Sequence, residues 1–178
     1  MDEQPLDKIK RIEEQFVEKI ADNMQTYGVT ATVGRVLGII YMNRKPMTLD
    51  DLSEETGMSK TRMSQVVREM VDFNIAEKVF EKGVRKDLYS VEQDYYQTFI
   101  SLFTSNWRKA IQKNKIFEKK MAAELQALLE TEALDKDLEQ KIHILLKETK
   151  EWHDYYQWLA ELVEFFDSGE IFNHVPKR

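Results

Sequence analysis

The segment that most constrains the fold is MTLDDLSEETGMSKTRMSQVVREM, in which one glycine separates two short helical patterns. Thr48 is placed to cap the first helix, and Asp50 and Asp51 lie in its first turn, where the helix dipole favours negative charge. Gly57 can end this helix, and Ser59 can cap the next one after a turn of about three residues. The pattern predicts a helix-turn-helix.

The second helix of this pair has two chemically different faces when its residues are projected at about 100° each. The apolar face holds Met63, Val66, Val67 and Met70. The opposite face holds Thr61, Ser64, Gln65 and Arg68, with Lys60 and Arg62 beside it. This polar face has no carboxylate over its first two turns, and Ser, Gln and Arg can read base edges in a major groove. An ordinary solvated face is the alternative interpretation.

A β-hairpin is predicted next, because two short β-favouring runs, 75–80 and 84–91, flank the turn EKG. Its tip carries Lys82, Arg85 and Lys86. A hairpin that follows a helix-turn-helix is the order of elements in a winged helix. The alternative is an ordinary hairpin whose lysines keep its edge soluble and unpaired.

Charge is unevenly distributed along the chain. The net charge is −6, but residues 59–86 hold seven basic and four acidic side chains. Phosphates attract Lys and Arg, so contacts with double-stranded DNA are expected in this segment. Base reading is predicted for Thr61, Ser64, Gln65 and Arg68. Backbone positioning is predicted for Ser59, Lys60, Arg62, Lys82, Arg85 and Lys86.

Helices are also predicted before this head. Apolar residues recur at helical spacing over residues 6–24, which predicts a first helix. Thr30 can cap a second helix that ends before Pro46. Gly34 and Gly38 lie one turn apart on it, and this spacing predicts a close crossing with another helix.

The chain after the hairpin is predicted to be helical, without any strand. An apolar stripe from Tyr95 to Trp107 marks the helix that leaves the hairpin, and a further segment carries apolar residues from Met121 to Leu129. Glu132 to Asp135 is the predicted turn. The last long helix is predicted from about Lys136 to Phe166.

That last helix carries apolar residues at alternating steps of four and three, a heptad pattern sustained over four repeats. We call this set the heptad seam: Leu138, Ile142, Leu145, Thr149, Trp152, Tyr156, Leu159, Val163 and Phe166. Such a seam packs on another helix, which can come from the same chain or from a second copy related by two-fold symmetry.

A second aromatic stripe lies about 100° around the same helix, and the heptad seam does not explain it. It consists of Tyr155, Trp158, Leu162 and Phe165. Packing against the helix of residues 95–107 would account for it. Alternatively, several ring faces around a quaternary ammonium supply cation–π attraction of about 0.5 to 2 kcal/mol each. The effector-binding residues are then Trp107, Tyr155, Trp158 and Phe165, with Tyr95 and Tyr96 behind them.

The sequence carries no signature of an enzyme or a metal site. It has no cysteine, and its three histidines lack H-E-x-x-H spacing or a carboxylate cluster. No serine has the G-x-S-x-G context of a nucleophile. No apolar run approaches the roughly 18 residues of a membrane span, so no membrane partner is expected. No cofactor is expected either, because the sequence has none of these motifs. Without a basic segment and apolar run at its start, the chain is expected in the cytoplasm.

Several stretches together resemble the GbsR-type branch of the MarR-like winged-helix repressors. They are YGVTATVGRVLGIIY, the head MTLDDLSEETGMSKTRMSQVVREM, the wing FEKGVRKDLY and the aromatic-rich helical remainder. The resemblance implies a homodimeric repressor of glycine betaine synthesis or of choline and betaine uptake genes. It also implies that choline, with glycine betaine left open, binds in an aromatic cage between the head and the dimerisation helices and releases the operator.

The expected fold is mainly α-helical with a small β-hairpin wing. Residues 1–92 are expected to form a winged helix-turn-helix DNA-binding domain, and residues 93–178 a helical dimerisation and effector-binding region. Two reading helices of a dimer would enter successive major grooves of a roughly palindromic operator, about 34 Å apart. Two alternatives are open: a MarR-like regulator that senses an uncharged aromatic or lipophilic compound, and a winged-helix module that binds protein.

Overall fold

The computed structural model describes residues 4–130 and 134–178. The chain forms two compact units, of which the first ends at Phe103 and the second runs from Thr104 to Arg178. The described residues form seven α-helices and three short strands, which confirms a mainly helical fold with a small sheet. The predicted division between residues 92 and 93 remains a prediction.

Two helices open the first unit: α1 (Pro5–Met24) and α2 (Ala31–Asn43). A 3₁₀ turn ends at Gly28, whose φ of 73° is left-handed and favours glycine. The Oγ1 of Thr30 then accepts a hydrogen bond from the N–H of Val33, which begins α2 with the predicted cap.

The two helices cross closely where α2 carries its two glycines. A Cβ atom built on Gly34 would lie 2.7 Å from the Cα of Ala21 in α1. A Cβ atom on Gly38 would lie 3.1 Å from the Cα of Val17. Real Cβ atoms keep a larger distance from the backbone than the first value, so the predicted close crossing is confirmed.

The helix-turn-helix has the predicted local structure. Its helices are α3 (Leu49–Thr56) and α4 (Lys60–Asp72). The Oγ1 of Thr48 accepts from the N–H of Asp51, and the carboxylate of Asp51 accepts from the N–H of Thr48, forming a capping box. Gly57 ends α3 at a φ of 69°, and the side chain of Ser59 caps α4.

The core of the first unit lies under α4. The predicted apolar face of this helix, Met63, Val66, Val67 and Met70, is at most 1% exposed. These side chains belong to one cluster with apolar residues of α2 and with Leu52 of α3. Burying each of them contributes about 1.5 to 3 kcal/mol to folding, and this burial orients the opposite face of α4 towards solvent.

A three-stranded antiparallel sheet completes the head: β1 (Met47–Thr48), β2 (Ala76–Val79) and β3 (Leu88–Val91), in the order β1-β3-β2. The hairpin is confirmed, but its predicted strands are too long. Residues 80–87 form a loop, which we call the wing loop. This loop contains Gly83 at a φ of 91° and a run of three charged residues, which do not continue the apolar alternation of a strand. Strand β1 was not predicted, because two residues carry no periodicity.

The C-terminal part of the chain is a helical pair: α5 (Tyr95–Leu129) and α6 (Lys136–Asp167), followed by the short α7 (Ile171–His174). The sequence pattern placed the end of α5 in a separate segment, which is wrong. No Gly or Pro interrupts these 35 residues, so the helix continues. Asp135 caps α6 through Oδ1, which accepts from the N–H of Leu138 at 2.8 Å. Of the predicted turn, Glu132 and Ala133 lie outside the described residues.

The second unit buries only part of the heptad seam. Ile142, Leu159 and Val163 are buried, whereas Leu138, Leu145 and Trp152 are each nearly half exposed. Polar contacts join α5 to α6: Arg108 pairs with Asp167, and the Nδ1 of His153 lies 2.9 Å from the Oε1 of Glu118. The chain therefore presents an apolar strip along α6 that its described residues leave uncovered.

Candidate DNA-binding surface and ligand cavity

The polar face of α4 is accessible along its length. Thr61, Gln65 and Arg68 are exposed, and Ser64 is half-buried. The Nε of Arg68 donates to the backbone oxygen of Ser64 at 3.0 Å, and its Nη2 donates to the Oγ at 3.2 Å. Arg62 donates to the Oε1 of Gln65 at 3.4 Å. Both guanidinium groups are thus held on their own helix, and each must exchange these bonds to contact DNA.

The wing loop carries two cations without partners. Lys82 and Arg85 are exposed and make no ion pair or hydrogen bond with any residue that the structure describes. Lys78 on β2 differs, because it pairs with Asp87 at 2.8 Å, and this carboxylate raises the pKa of the lysine. Phe80 begins the loop with 90% of its surface exposed. The loop therefore presents free positive charge that can contact phosphates.

Two further predicted phosphate contacts share one carboxylate. Lys60, the first residue of α4, and Lys86 of the wing loop both pair with Asp50 near the start of α3. Their side chains remain about two-thirds exposed. The structure thus brings the reading helix and the wing loop together through Asp50, for which the sequence indicated only a favourable charge in the first turn of α3.

A cavity of about 180 Å³ lies in the first unit, and aromatic rings form much of its wall. The rings are Tyr27, Tyr41, Tyr95 and Phe99, and the wall also contains Glu92 and Asn23. The carboxylate of Glu92 accepts a hydrogen bond from the N–H of Asp94 at 2.8 Å, which fixes its position. The volume exceeds that of a single ordered water, so the cavity can hold a small organic molecule.

The rings of this cavity contact one another and a cation. The centroids of Tyr41 and Tyr95 lie 4.8 Å apart, and those of Tyr27 and Phe99 lie 6.1 Å apart, edge to face. The guanidinium of Arg44 lies 4.4 Å from the centroid of Tyr41. Desolvation and a hydrogen bond with Tyr41 raise the pKa of Tyr95 to about 12. Its phenol is therefore neutral at physiological pH and offers an intact ring face.

The six predicted effector residues lie in several places. Tyr95 lines the cavity of the first unit, and its neighbour Tyr96 is exposed. Tyr155 and Trp158 stack with centroids 6.3 Å apart on α6, and both remain about half exposed. Phe165 contacts Phe166 and His174, and Trp107 is half-buried on α5. A single cage built from all six residues remains a prediction.

Four residues of the cavity wall were missed as ligand candidates. Tyr41 and Phe99 lie within predicted helices, and Tyr27 lies in the connection between the first two of them. Glu92 directly follows β3, and a single carboxylate at that place is not a sequence signal for a ligand site. A search for ring clusters in space would have found them, but their separation along the chain hides the cluster from any sequence pattern.

The second unit contains a larger apolar groove of about 420 Å³ between α5 and α6. Its apolar lining consists of Phe117, Met121, Leu125, Leu128, Leu145 and Trp152. Three carboxylates, Glu118, Glu124 and Glu148, lie at the same groove. Two of the seam residues that are exposed in the chain, Leu145 and Trp152, belong to this lining.

Across residues 4–130 and 134–178, no group of three or more His, Asp or Glu side chains can hold a metal ion. None of the helices in this part of the chain is both long and apolar enough to span a bilayer.

Comparisons with known proteins all match transcriptional regulators. A family model described as "GbsR family transcriptional regulator, C-terminal helical hairpin" matches residues 95–173, and one described as "MarR family" matches residues 27–86. Three relatives come from Bacillus subtilis (strain 168). The HTH-type transcriptional repressor OpcR is 66% identical, over 97% of this chain and 93% of that protein. The putative HTH-type transcriptional regulator YvaV is 64% identical, over 99% of both chains.

A more distant relative and a solved structure extend these matches. The HTH-type transcriptional repressor GbsR is 36% identical, over 99% of this chain and 98% of that protein. A crystal structure of a transcriptional regulator has the same fold, with a TM-score of 0.56 and 15% identity, and covers 88% of this chain and 98% of that one. The relatives and matched families are transcriptional regulators rather than enzymes.

Proposed function

Because this chain belongs to the GbsR family of MarR-like transcriptional repressors, we propose that it binds a roughly palindromic operator as a homodimer and is released by choline. The genes under its control would be those of glycine betaine synthesis or of choline and betaine uptake. Thr61, Ser64, Gln65 and Arg68 would read bases. Ser59, Lys60, Arg62, Lys82, Arg85 and Lys86 would contact the backbone.

The observation that carries the ligand proposal is the ring-lined cavity of the first unit. A quaternary ammonium cannot donate a hydrogen bond, so it is recognised by aromatic faces and by negative charge. Tyr27, Tyr41, Tyr95 and Phe99 offer the faces, and Glu92 offers the charge. Arg44 already makes a cation–π contact with Tyr41, which indicates that this ring can receive a cation.

The same cavity favours choline over glycine betaine. Both molecules carry a trimethylammonium group, but glycine betaine adds a carboxylate, which Glu92 would repel. None of the residues that line the cavity is basic, so the lining itself offers no cation to that carboxylate, and the nearby Arg44 already donates to Gln93. Choline offers a hydroxyl instead, for which the side chain of Asn23 is a suitable partner.

The cavity is also placed to transmit binding to the DNA-binding head. Glu92 follows β3 of the sheet directly, and the adjacent Gln93 accepts a hydrogen bond from Arg44 at 2.6 Å. A ligand that attracts Glu92 would shift the end of β3 and, through it, the wing loop. Such a ligand changes operator affinity only if it binds the released state better than the DNA-binding state.

The direct test is a gel-shift titration against the DNA upstream of the gene that encodes the protein. The expected result is a shift that weakens steeply as salt rises and disappears on addition of choline. A protein-interaction module would instead show little salt-sensitive DNA affinity. Replacing Arg68 with Ala should weaken operator binding by about 1 to 3 kcal/mol if this residue reads a base, and unchanged binding removes it from the reading set.

The ligand site is tested with two rings of similar exposure, Tyr95 in the cavity and Trp158 on α6. Tyr95→Leu should weaken choline binding, measured by calorimetry, by about 0.5 to 2 kcal/mol, while Trp158→Leu leaves it unchanged. Glu92→Gln should also weaken choline binding and reduce the discrimination against glycine betaine. The opposite pattern, loss only in Trp158→Leu, would move the site to the predicted cage of Trp107, Tyr155, Trp158 and Phe165.

A second candidate function follows from the groove of the second unit. Six apolar side chains form its lining, so an uncharged aromatic or lipophilic compound would gain burial there. This is the ligand class of the alternative MarR-like regulator. A lipophilic effector would quench the fluorescence of Trp152, whereas no tryptophan lines the cavity proposed for choline.

A further inference from the structure

Asp50 connects three elements of the DNA-binding head through one side chain. Its Oδ2 lies 2.7 Å from the Nζ of Lys86 in the wing loop, and its Oδ1 pairs with the Nζ of Lys60 at the start of α4. Asp50 itself lies in the first turn of α3. The wing loop is thereby joined to the reading helix at a point outside the sheet.

The cluster around Asp50 presents two exposed ammonium groups. Lys60 and Lys86 both contact this carboxylate, and the neighbouring carboxylate of Asp51, which accepts from the N–H and Oγ1 of Thr48, also attracts Lys86. The side chains of both lysines are 65% exposed, so phosphate oxygens can reach their ammonium groups while Asp50 still contacts them. The pKa of Asp50 is lowered by Lys60 and then by Lys86, which keeps the carboxylate ionised at neutral pH.

Apart from the ion pair of Asp87 with Lys78 of β2, at 2.8 Å, few contacts hold the wing loop. Residues 81–87 are all exposed, and Lys82 and Arg85 make no contact of hydrogen-bond or ionic type with any described residue. A loop with so few contacts loses conformational entropy when DNA orders it, and this loss reduces affinity. An ion pair that holds one end of the loop in the free protein reduces that loss before DNA arrives.

We propose that Asp50 is a positioning residue for DNA binding, which sets Lys60 and Lys86 side by side and orders the wing loop against α4. This inference rests on the proposed DNA-binding function. If Asp50 positions the two lysines, its removal weakens DNA binding. If its carboxylate acts mainly by repelling phosphates, its removal strengthens DNA binding.

The test compares Asp50→Asn with Glu55→Gln. Both changes remove one negative charge from α3 and keep the size of the side chain, but Glu55 is exposed and has no partner among the described residues. Operator binding of Asp50→Asn should fall by roughly threefold to tenfold relative to Glu55→Gln at moderate salt, as expected for loss of two surface ion pairs. Asp50→Glu, which restores the charge on a longer stem, should recover part of this loss.

A second measurement requires no DNA. Trypsin cleaves after Lys and Arg, so ordering of the wing loop is reported by the rate of cleavage after Lys82, Arg85 and Lys86. This rate should rise several-fold in Asp50→Asn and remain at the wild-type value in Glu55→Gln. Asp50→Asn should also unfold at a slightly lower temperature, because it loses a favourable charge in the first turn of α3, so cleavage is measured well below the unfolding transition of both variants.

The outcomes separate the two proposals. Asp50 is not a positioning residue if Asp50→Asn binds the operator as tightly as Glu55→Gln, or more tightly. The same conclusion follows if trypsin cuts the wing loop of the two variants at the same rate. If the wild-type protein fails to bind DNA at all while the trypsin difference persists, the ordering of the loop stands and the DNA-binding function is wrong.

Discussion

Gly34 is the more tightly packed of the two glycines at the crossing of α1 and α2. A Cβ atom there would approach both the Cα and the O of Ala21, at 2.7 and 3.0 Å, and these are backbone atoms that cannot rotate away. At Gly38 the closest approach is 3.1 Å. The two positions lie one turn apart on the same helix, so they form a matched pair for mutation.

Gly34→Ala should destabilise the protein by about 1 to 3 kcal/mol, because the crossing must open to admit the new methyl group. Gly38→Ala should be close to neutral, since a small shift at 3.1 Å is offset by the helix propensity of Ala, which is about 1 kcal/mol better than that of Gly. Urea unfolding monitored by circular dichroism measures both. Equal midpoints for the two variants would show that the crossing does not constrain Gly34 more tightly.

Individual residues were predictable where their chemistry is local. Thr48, Gly57 and Ser59 were assigned to their caps from neighbours within three positions, and the structure confirms each assignment. The cavity was not predictable in this way. Tyr27 and Tyr95 line the same cavity only once α1, α2 and the start of α5 have packed together. Because the two residues are far apart along the chain, no sequence spacing predicts this proximity.

The hairpin strands were predicted too long, and the wing loop correspondingly too short, but the position of the cations in the loop was predicted correctly. Its strands end early because residues 80–87 lack alternating apolar side chains, yet its tip carries the predicted cations. The continuity of α5 was missed for a related reason. An apolar stripe that drifts around a long helix resembles two stripes, and only the absence of Gly and Pro indicates one helix.

Free and paired cations of the wing should contribute differently to DNA binding. Replacing both Lys82 and Arg85 with Ala should reduce the magnitude of the negative slope of log K against log salt by about 1.8, because each phosphate contact contributes about 0.9. Lys78→Ala should change it by clearly less than 0.9, since Asp87 already neutralises this lysine. Fluorescence anisotropy with labelled operator at several salt concentrations provides the slopes. If the slope of the double variant is as steep as that of Lys78→Ala, the wing loop does not contact the DNA.

Across the molecule, the described residues expose two apolar strips that a monomer would leave in water. One runs along α1, where Leu6, Ile9 and Phe16 are each more than half exposed. The other is the uncovered part of the heptad seam, Leu138, Leu145 and Trp152, spaced seven residues apart on α6. Exposed apolar surfaces of this extent mark interaction sites, and a heptad repeat is a pattern that a second copy can match. They support the proposed homodimer.

Leu145→Glu should convert the dimer to a monomer or weaken it at least tenfold, because association would bury a carboxylate without a partner. Gln140→Glu introduces the same charge at an exposed position outside the seam and should leave the dimer intact. Sedimentation equilibrium measures both. Operator binding should fall together with dimerisation, since a monomer contacts one half-site and loses the second reading helix. A Leu145→Glu protein that remains a dimer with full operator affinity would locate the dimer contact elsewhere, with the strip along α1 as the next candidate.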